Sequence, residues 1–253
     1  MNTHGAPLIE FKKVDKAFGN HVIYDDMTLD VREGETLTII GGSGTGKSVC
    51  LKLMIGLLVA DDGVVTFRGR RVDEMGPEDL RDLRRRVSYV FQGGALFDSM
   101  SIGENVAYGL REHGNPADAE VEERVAYCLD LVGLGEKQYP GITQSMPANL
   151  SGGMRKRVAL ARSIAVQPEV ILYDEPTTGL DPNNCKRIAY MIRKLQGELG
   201  VTSVVVTHDM PTAWYVADRV ALLHDHGFPF VAPSNEFQRI DDPIVQDFIT
   251  GAY

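Results

Sequence analysis

Cysteine, positive charge and long apolar runs are all scarce in this sequence. Its three cysteines, Cys50, Cys128 and Cys185, lie far apart and show no CxxC spacing. We therefore expect neither a disulfide framework nor a zinc site, and we infer a reducing compartment. The longest mostly apolar stretch, Leu53–Ala60, is much shorter than the roughly 20 residues that a membrane-spanning helix needs.

The charge balance argues against one class of partner. The net charge is −9, and a surface of that sign repels phosphate backbones, so we expect no nucleic-acid partner. The one basic cluster, Arg81 and Arg84–Arg86, alternates with Asp79 and Asp82, which is typical of a solvated helix face. The N-terminal residues MNTHGAPLIEF lack a basic start followed by an apolar stretch. We therefore expect no signal peptide, and a cytoplasmic protein that reaches a membrane only through a partner.

Apolar patterning predicts an α/β fold with a mostly parallel core sheet and a small antiparallel β layer. Alternation around a turn at Gly19 and Asn20 predicts strands at Ile9–Val14 and His21–Val31, with another at Val64–Phe67. Buried strands are predicted at Leu37–Ile40, Val87–Phe91, Val170–Tyr173, Ser203–Val206 and Val220–Leu223. Helical patterns lie between them at Val49–Leu58, Met154–Ile164 and Asn183–Leu199. Strands that alternate with helices indicate a parallel sheet covered by helices.

The middle of the chain carries no strand pattern. Between Gln92 and Leu150, Ile102–Glu112 and Ala119–Val132 show helical periodicity, with breakers at 114–116 and 140–141. We therefore predict a single domain over residues 1–253, with a core from 1–92 and 151–253 and a helical subdomain at 93–150.

A glycine-rich segment follows the predicted strand Leu37–Ile40 directly. It comprises Gly41, Gly42, Ser43, Gly44, Thr45, Gly46, Lys47 and Ser48, which fit the pattern GxxxxGKS. Glycines allow backbone N–H groups to approach an anion, and the helix that follows adds the positive end of its dipole. In this pattern Lys47 reaches the β and γ phosphates of a nucleotide, and the Ser48 hydroxyl binds Mg²⁺. The segment therefore predicts a nucleotide phosphate site.

Two carboxylates, Asp174 and Glu175, follow the predicted strand Val170–Tyr173. Pro176 comes next and cannot continue a strand. Ligands bind at the C-terminal ends of parallel strands, so Asp174 could complete the Mg²⁺ shell while Glu175 activates a water molecule. The alternative is a strand that ends in a solvated turn.

A second anion site is predicted at LSGGM, residues 150–154. Ser151 is a good N-cap for the helix that follows, and Gly152 and Gly153 permit close approach to a phosphate. With this motif, six elements stand in order along the chain: GGSGTGKS, Gln92, LSGGM, ILYDE, Gly179–Asp181 and His208. That order resembles the ATP-binding cassette (ABC) ATPases over nearly the whole chain.

The resemblance implies an ABC-type P-loop NTPase fold, ATP and Mg²⁺ as ligands, and two chains that sandwich two ATP molecules. It implies catalytic roles for Lys47, Gln92, Glu175 and His208, and a metal shell made by Ser48, Gln92 and Asp174. In that family the residue at Gln92 senses Mg²⁺ and the nucleophile, and the residue at His208 contacts the γ phosphate. The matching nucleotide contacts outside the phosphate loop are adenine stacking by Phe18, the D-loop residue Asp181, and Ser151, Gly152 and Gly153, which close over ATP held by the opposite chain.

Individual members of this set also have simpler interpretations. Phe18 could be a hydrophobic plug on a hairpin, and Gln92 and His208 could be ordinary polar residues. Val49 stands where many members have a second hydroxyl that touches the α phosphate, and Met154 replaces the frequent Gln of LSGGQ. We therefore expect altered affinity with the chemistry retained, because the backbone amides of the loop remain.

Three segments resemble the ATPase of Mla/Mce-type phospholipid transporters: LSGGM, FQGGALFDSMSIGENVAYGLREH at 91–113 and DDPIVQDFITG at 241–251. This resemblance implies a homodimer at the cytoplasmic face of the bacterial inner membrane. It also implies a multi-spanning permease and a substrate-binding protein of the Mce type as partners. Ala95, Leu96, Phe97 and Met100 would form the groove for a permease helix, unless they pack only inside the helical subdomain.

Two other functional classes share the same motifs. The first is the ATPase subunit of an importer for amino acids or another small solute, which would carry all the same catalytic residues. The second is a non-transport ABC ATPase that acts on nucleic acid or ribosomes. Such proteins typically have a long coiled-coil insertion or two cassettes in one chain, and neither pattern is found in this sequence.

Overall fold

The computed structural model describes residues 7–112, 114 and 116–250. Residues 1–6, His113, Asn115 and 251–253 lie outside this range. Parts of four segments used in the sequence analysis fall outside it too. They are most of the N-terminal segment used to judge a signal peptide, part of the predicted breaker at 114–116, and the last residues of the segments 91–113 and 241–251.

Ten strands and nine α-helices occur in the described part of the chain. The strands are β1 (Pro7–Phe18), β2 (His21–Arg32), β3 (Thr36–Gly41), β4 (Asp62–Phe67), β5 (Arg70–Arg71), β6 (Val87–Val90), β7 (Val170–Asp174), β8 (Thr202–Val206), β9 (Arg219–His224) and β10 (Gly227–Pro233). The helices are α1 (Lys47–Met54), α2 (Pro77–Arg86), α3 (Ile102–Glu112), α4 (Asp118–Leu131), α5 (Gly152–Ala165), α6 (Pro182–Leu199), α7 (Met210–Val216), α8 (Ser234–Phe237) and α9 (Pro243–Thr250).

The strands form two sheets, as the sequence predicts. An antiparallel sheet has the order β2-β1-β4-β5, and a larger sheet has the order β10-β9-β3-β8-β7-β6. Within the larger sheet all neighbours are parallel except β10, which pairs antiparallel with β9 at one edge. Every residue of β3, β7 and β8 is buried, which explains their continuous apolar runs, since helices or the other sheet cover both faces.

Strand β7 shows how the two faces of the larger sheet divide the core. Ile171 and Tyr173 face one cluster, which is completed by apolar residues of α3, α4, α5 and α6. Val170 and Leu172 face the other cluster, which lies between the two sheets and around α1. This alternation follows from the two-residue repeat of a strand. Helix α5 packs on α3 and α4, so the helices on that face form one layer.

Several predicted elements are confirmed and some needed correction. The predicted bounds of α3 are confirmed, and so is the exposed arginine face, because α2 buries only Leu83 among its residues. The predicted helix Val49–Leu58 is too long: α1 ends at Met54, and Gly56 then adopts the left-handed conformation with φ +62°. Strands β5 and β10 and helices α7 to α9 were missed. None of the described helices is long and apolar enough to cross a membrane.

Candidate functional site

Three neighbouring strands of the larger sheet end at the same edge. Ile39 of β3 and Asp174 of β7 both pair with Val206 of β8. The segments that leave these strands therefore lie side by side: the loop 41–48, Glu175 and His208. The fold thus brings together the residues that the sequence analysis assigns to the phosphates, the metal and the water.

The loop 41–48 depends on glycine at two positions. Gly46 has φ +107°, and a Cβ there would collide with the side chain of Ile23. A Cβ on Gly41 would lie 2.7 Å from the carbonyl oxygen of Leu223. Gly46 is the N-cap of α1, and its carbonyl accepts a hydrogen bond from the hydroxyl of Tyr24 at 2.7 Å. The loop is therefore fixed between β2, β9 and α1, with Ser43 and Gly44 exposed.

Lys47 is a buried cation at the first position of α1. Its Nζ donates to the carbonyl oxygens of Gly41 and Gly42 at 2.9 and 2.7 Å. Burial lowers the pKa of Lys47, and the charges of Glu175 and Asp174 act in the opposite direction. Among the described residues no carboxylate lies within ion-pair distance of this amine. A bound anion beside Lys47 would supply a negative charge at ion-pair distance from this buried, positively charged amine.

Asp174 ends β7 and is held by two hydroxyl groups. Ser48 Oγ donates to its Oδ1 at 2.7 Å, and Tyr89 of β6 donates to its Oδ2 at 2.8 Å. Burial, together with the hydrogen bond to Asp174, raises the pKa of Tyr89, so this phenol keeps its proton at neutral pH. The Ser48 hydroxyl and the Asp174 carboxylate, both assigned to the metal shell by the sequence analysis, are thus in direct contact.

Glu175 sits at a strained turn directly after β7. Its φ is +49°, which is uncommon for a residue with a side chain, and its N–H donates to the Val206 carbonyl at 2.9 Å. The carboxylate oxygen Oε2 lies 2.8 Å from Nδ1 of His208 and accepts a hydrogen bond from Thr178 at 3.1 Å. The Glu175 side chain is 13% exposed, whereas His208 is 64% exposed. A mostly buried carboxylate next to an exposed imidazole suits an acid–base pair.

Gln92 is exposed and lies just beyond the end of β6. The hydrogen bonds of Asp174 are made to Ser48 and Tyr89, and none reaches Gln92. The structure therefore places Gln92 just after the strand next to β7, and among the described residues it makes no hydrogen bond to the other predicted metal ligands.

Ser151, Gly152 and Gly153 lie at the start of α5. The Ser151 hydroxyl accepts a hydrogen bond from the Met154 N–H at 3.3 Å, as predicted for an N-cap. A Cβ on Gly153 would lie 2.8 Å from the side chain of Asn184 in α6. Within the described part of the chain, no hydrogen bond joins this motif to the loop 41–48. The two predicted anion sites of one chain therefore share no hydrogen bond in the described structure.

Asp181 caps α6 next to this motif. Its carboxylate accepts hydrogen bonds from the backbone N–H groups of Asn183 and Asn184 at 3.0 and 3.1 Å, and also from the Asn184 side chain. These bonds, chiefly that of the Asn184 side chain, lower the pKa of Asp181. Asp181 is exposed, so its side chain is accessible to solvent or to another chain.

Phe18 and Val49 differ in exposure. Phe18 ends β1 and is 48% exposed, with the Lys16 amine 5.4 Å from the centre of its ring. An exposed aromatic ring of this kind is available for stacking. Val49 lies in α1 and packs against the core cluster between the sheets.

Comparison with known proteins assigns the family. The family model described as ABC transporter matches residues 24–178, which include the loop 41–48, Gln92, Ser151 and the pair Asp174 and Glu175. The chain belongs to the ABC transporter family.

Two curated ABC relatives and one solved cassette are similar over most of the chain. The intermembrane phospholipid transport system ATP-binding protein MlaF of Escherichia coli (strain K12) is 38% identical over 251 residues, which cover 99% of this chain and 91% of MlaF. The probable ribonucleotide transport ATP-binding protein mkl of Mycobacterium leprae is 38% identical over 245 residues, covering 96% of this chain and 69% of mkl. The ATP-binding cassette MJ0796, solved as a dimer bound to ADP and Pi, has a TM-score of 0.80 at 31% identity, covering 89% and 98% of the two chains.

The site of this ABC protein fits ATP and Mg²⁺, and the chain is accordingly an ATPase. The buried amine of Lys47 donates to the carbonyl oxygens of Gly41 and Gly42, where a bound phosphate would add negative charge. Ser48 and Asp174 offer hard oxygen atoms, which Mg²⁺ prefers. No group of three His, Cys, Asp or Glu side chains suited to a metal occurs among the described residues. Mg²⁺ at a nucleotide is usually held by one or two protein oxygens, water and substrate phosphates.

Sequence reasoning missed Thr178, which bonds Glu175 Oε2, and three residues of other elements that contact this ABC site. Tyr24 bonds the Gly46 carbonyl, Tyr89 bonds Asp174, and the buried amine of Lys156 in α5 donates to the Glu175 carbonyl at 3.3 Å. The tyrosines look like ordinary strand aromatics in the sequence, and Lys156 looks like an exposed helical lysine. Only their tertiary contacts distinguish them, so no local signal could have found them.

Proposed function

We propose that this chain is the ATPase subunit of a transporter that moves phospholipids between bacterial membranes. The observation that supports the proposal is that residues predicted to bind the phosphate, the metal and the water lie together at one edge of the larger sheet, in a chain similar to MlaF along nearly the full length of both proteins. The segments 91–113 and 241–251, which resemble the Mla/Mce type, support the same substrate.

Two copies of the chain would share each ATP molecule. The loop 41–48 of one copy would hold the phosphates, and Ser151, Gly152 and Gly153 of the other copy would close over the γ phosphate. The exposure of Ser43 and Gly44 in the loop and of Ser151 in the second motif supports this arrangement, because both surfaces are accessible to a second chain. The exposed Asp181 lies beside the second motif and would face the same interface. The dimeric state of MJ0796 supports a homodimer.

The chain's own residues would carry the hydrolytic step. Lys47 and the backbone N–H groups of the loop would bind the β and γ phosphates and stabilise their developing charge. Glu175 would accept a proton from the attacking water, and His208, which contacts Glu175, would contact the γ phosphate. Mg²⁺, held by Ser48 and Asp174 with Gln92 joining the shell, would neutralise phosphate charge. Phe18 would stack on the adenine.

The segment after Gln92 would contact the permease. Asn105 bonds the backbone of Phe97, Met100 and Ser101, so this segment has a defined shape. Phe97 remains 36% exposed, with the guanidinium of Arg162 lying 4.5 Å from its ring centre. Leu96 packs against the helical core and the centre of the Phe97 ring lies 4.7 Å from that of Tyr108 in α3, so both residues pack partly inside the helical subdomain, as in the alternative interpretation. The accessible parts of Ala95, Phe97 and Met100 would offer an apolar surface to a helix of the permease.

The location and remaining partners follow from this role. A multi-spanning permease would hold two copies of the chain at the cytoplasmic face of the bacterial inner membrane. A substrate-binding protein of the Mce type would complete the transport system. We propose no nucleic-acid partner, in keeping with the net charge of −9.

A second candidate substrate is a ribonucleotide. The mkl relative is as similar in sequence as MlaF is, and its name refers to ribonucleotide transport. We favour phospholipid because the similarity to MlaF extends over 91% of that protein, compared with 69% of mkl. An importer of amino acids or other small solutes would share the same ATP site and is not favoured by any contact in the structure.

The test uses the complete transporter. The chain is purified with its permease, reconstituted into vesicles, and assayed for ATP-dependent transfer of a fluorescent phospholipid. We expect transfer that depends on ATP and is lost in a complex carrying Glu175→Gln. Stimulation of ATP hydrolysis by a ribonucleotide or an amino acid, without ATP-dependent lipid transfer, would refute the phospholipid assignment.

A further inference from the structure

The carboxylate of Asp174 is fixed at both of its oxygen atoms by neutral hydroxyl groups. Ser48 donates to Oδ1 at 2.7 Å from α1, and Tyr89 donates to Oδ2 at 2.8 Å from β6. Asp174 is only 9% exposed, so these two donors replace most of the water that would otherwise solvate the carboxylate. Two donors on opposite oxygens fix the carboxylate plane as well as its position.

We propose that Tyr89 is a positioning residue that orients Asp174, and through it Ser48, for Mg²⁺. A serine hydroxyl has one proton and two lone pairs. Because Ser48 directs its proton to Asp174, the lone pairs of Ser48 Oγ are left for a cation. Tyr89 holds the acceptor of that bond in place, so the chain of contacts runs from Tyr89 to Asp174 to Ser48.

The ring of Tyr89 is itself held in place. It packs against the core cluster between the two sheets, and its centre lies 4.3 Å from the centre of the Phe91 ring. The strand that carries Tyr89 pairs in parallel with β7, so Tyr89 and Asp174 sit on adjacent strands. A rigid donor of this kind aligns its acceptor at little entropic cost.

A purely structural role is the competing interpretation. In that case the phenol would only satisfy a buried carboxylate, and its loss would lower stability without changing metal affinity selectively. Groups that hold metal ligands from outside the shell typically change metal affinity by about 10- to 100-fold when removed. The two interpretations therefore differ in how Mg²⁺ affects nucleotide binding.

The test compares binding of a non-hydrolysable ATP analogue with and without Mg²⁺ by calorimetry, in the full-length chain. For Tyr89→Phe we expect affinity in EDTA within about twofold of the wild type, and a Mg²⁺-dependent gain in affinity reduced by about tenfold. Tyr173→Phe is the matched control. It removes a buried hydroxyl from the adjacent strand, on the face of the sheet that packs against the helices. We expect this control to bind as the wild type does.

The outcomes separate this inference from the proposed function, on whose metal site it rests. An unchanged Mg²⁺-dependent gain in Tyr89→Phe, or equal weakening with and without Mg²⁺, would overturn the positioning role. Absence of any Mg²⁺-dependent gain in the wild type would instead overturn the metal site of the proposed function, and absence of binding of the analogue would overturn its ATP site. If Tyr89→Phe fails to fold, Tyr89→Met, which also lacks the hydroxyl, is measured in the same way and must show the same selective loss.

Discussion

Replacing Glu175 with glutamine should slow ATP hydrolysis strongly and leave ATP binding intact. Two contacts of the Glu175 side chain end on the same oxygen, Oε2: His208 Nδ1 lies 2.8 Å away, and Thr178 Oγ1 donates a hydrogen bond at 3.1 Å. The glutamine carbonyl oxygen can occupy that position and keep the bond from Thr178. The contact with Lys156 uses the backbone carbonyl and is unaffected. The substitution therefore removes the basic carboxylate with little disturbance of its surroundings.

The expected size of the effect follows from the role of a general base. Loss of such a group typically costs about 10² to 10⁴ in rate, or about 3 to 5 kcal/mol of activation free energy. The assay is steady-state phosphate release, combined with equilibrium binding of ATP and Mg²⁺. Glu123→Gln, an exposed change of the same kind on α4, is the matched control and should hydrolyse ATP at the wild-type rate.

Two results would refute this reasoning. Turnover within about threefold of the wild type would exclude Glu175 as the general base, since that base should contribute at least about 10². A large loss of ATP binding would show instead that the carboxylate acts mainly in binding.

Three further predictions concern the loop, the second motif and the sheet. Lys47→Ala should weaken ATP binding by about 10- to 150-fold in a direct titration, because hydrogen bonds to charged groups are worth about 1.5 to 3 kcal/mol. Affinity close to that of the wild type would show that Lys47 does not bind the phosphates. Ser151→Arg should leave ATP binding by the monomer largely intact and abolish ATP-dependent dimers in sedimentation; persisting dimers would contradict its role across the interface. Burial alone would raise the pKa of Asp218, but hydrogen bonds from Arg193 and the Thr36 N–H lower it. Its contribution to stability is therefore present above the pKa of the unfolded state, near 3.9, and is lost as pH falls through the lower folded value. Asp218→Asn should reduce the free energy of unfolding at pH 7 by about 1 kcal/mol, after allowance for solvent screening, and flatten its acid dependence in urea titrations; an unchanged acid dependence would contradict the assigned shift.

The sequence was sufficient for elements with strong local patterns. Helix α3 has the predicted bounds because its apolar residues, including Ile102 and Val106, follow the helical repeat. The parallel order of the central strands follows from their buried runs and the helices between them. The glycine-rich loop could be predicted in detail, because its residue types are required by backbone contact with phosphate.

Other elements lack such local patterns. Strand β10 reads GFPFVAP, and its prolines argue against a strand, yet it pairs at the sheet edge where a missing N–H is tolerated. Helix α7 is short and contains Trp214, Tyr215 and Val216, which favour strands. Its position depends on packing of Ala213 and Val216 in the core, which a local pattern does not encode.

The contacts around the site were the least predictable. Tyr89 and Asp174 are 85 residues apart in the sequence, and Tyr24 and Gly46 are 22 apart. Each pair meets only because the fold places two strands or a strand and a loop side by side. Residue type at one position carries no information about these partners. The predicted roles of Gln92, Ser151 and Asp181 likewise depend on a bound nucleotide and a second chain.

The structure of Glu175→Gln with ATP and Mg²⁺ is the most direct test of the shared ATP site. We expect two copies of the chain with two nucleotides between them. In each site the γ phosphate should lie within hydrogen-bond distance of Lys47 of one copy and Ser151 of the other. A nucleotide held by the loop 41–48 with Ser151 of both copies remote from it, or bound elsewhere, would contradict the proposal that two chains share each ATP.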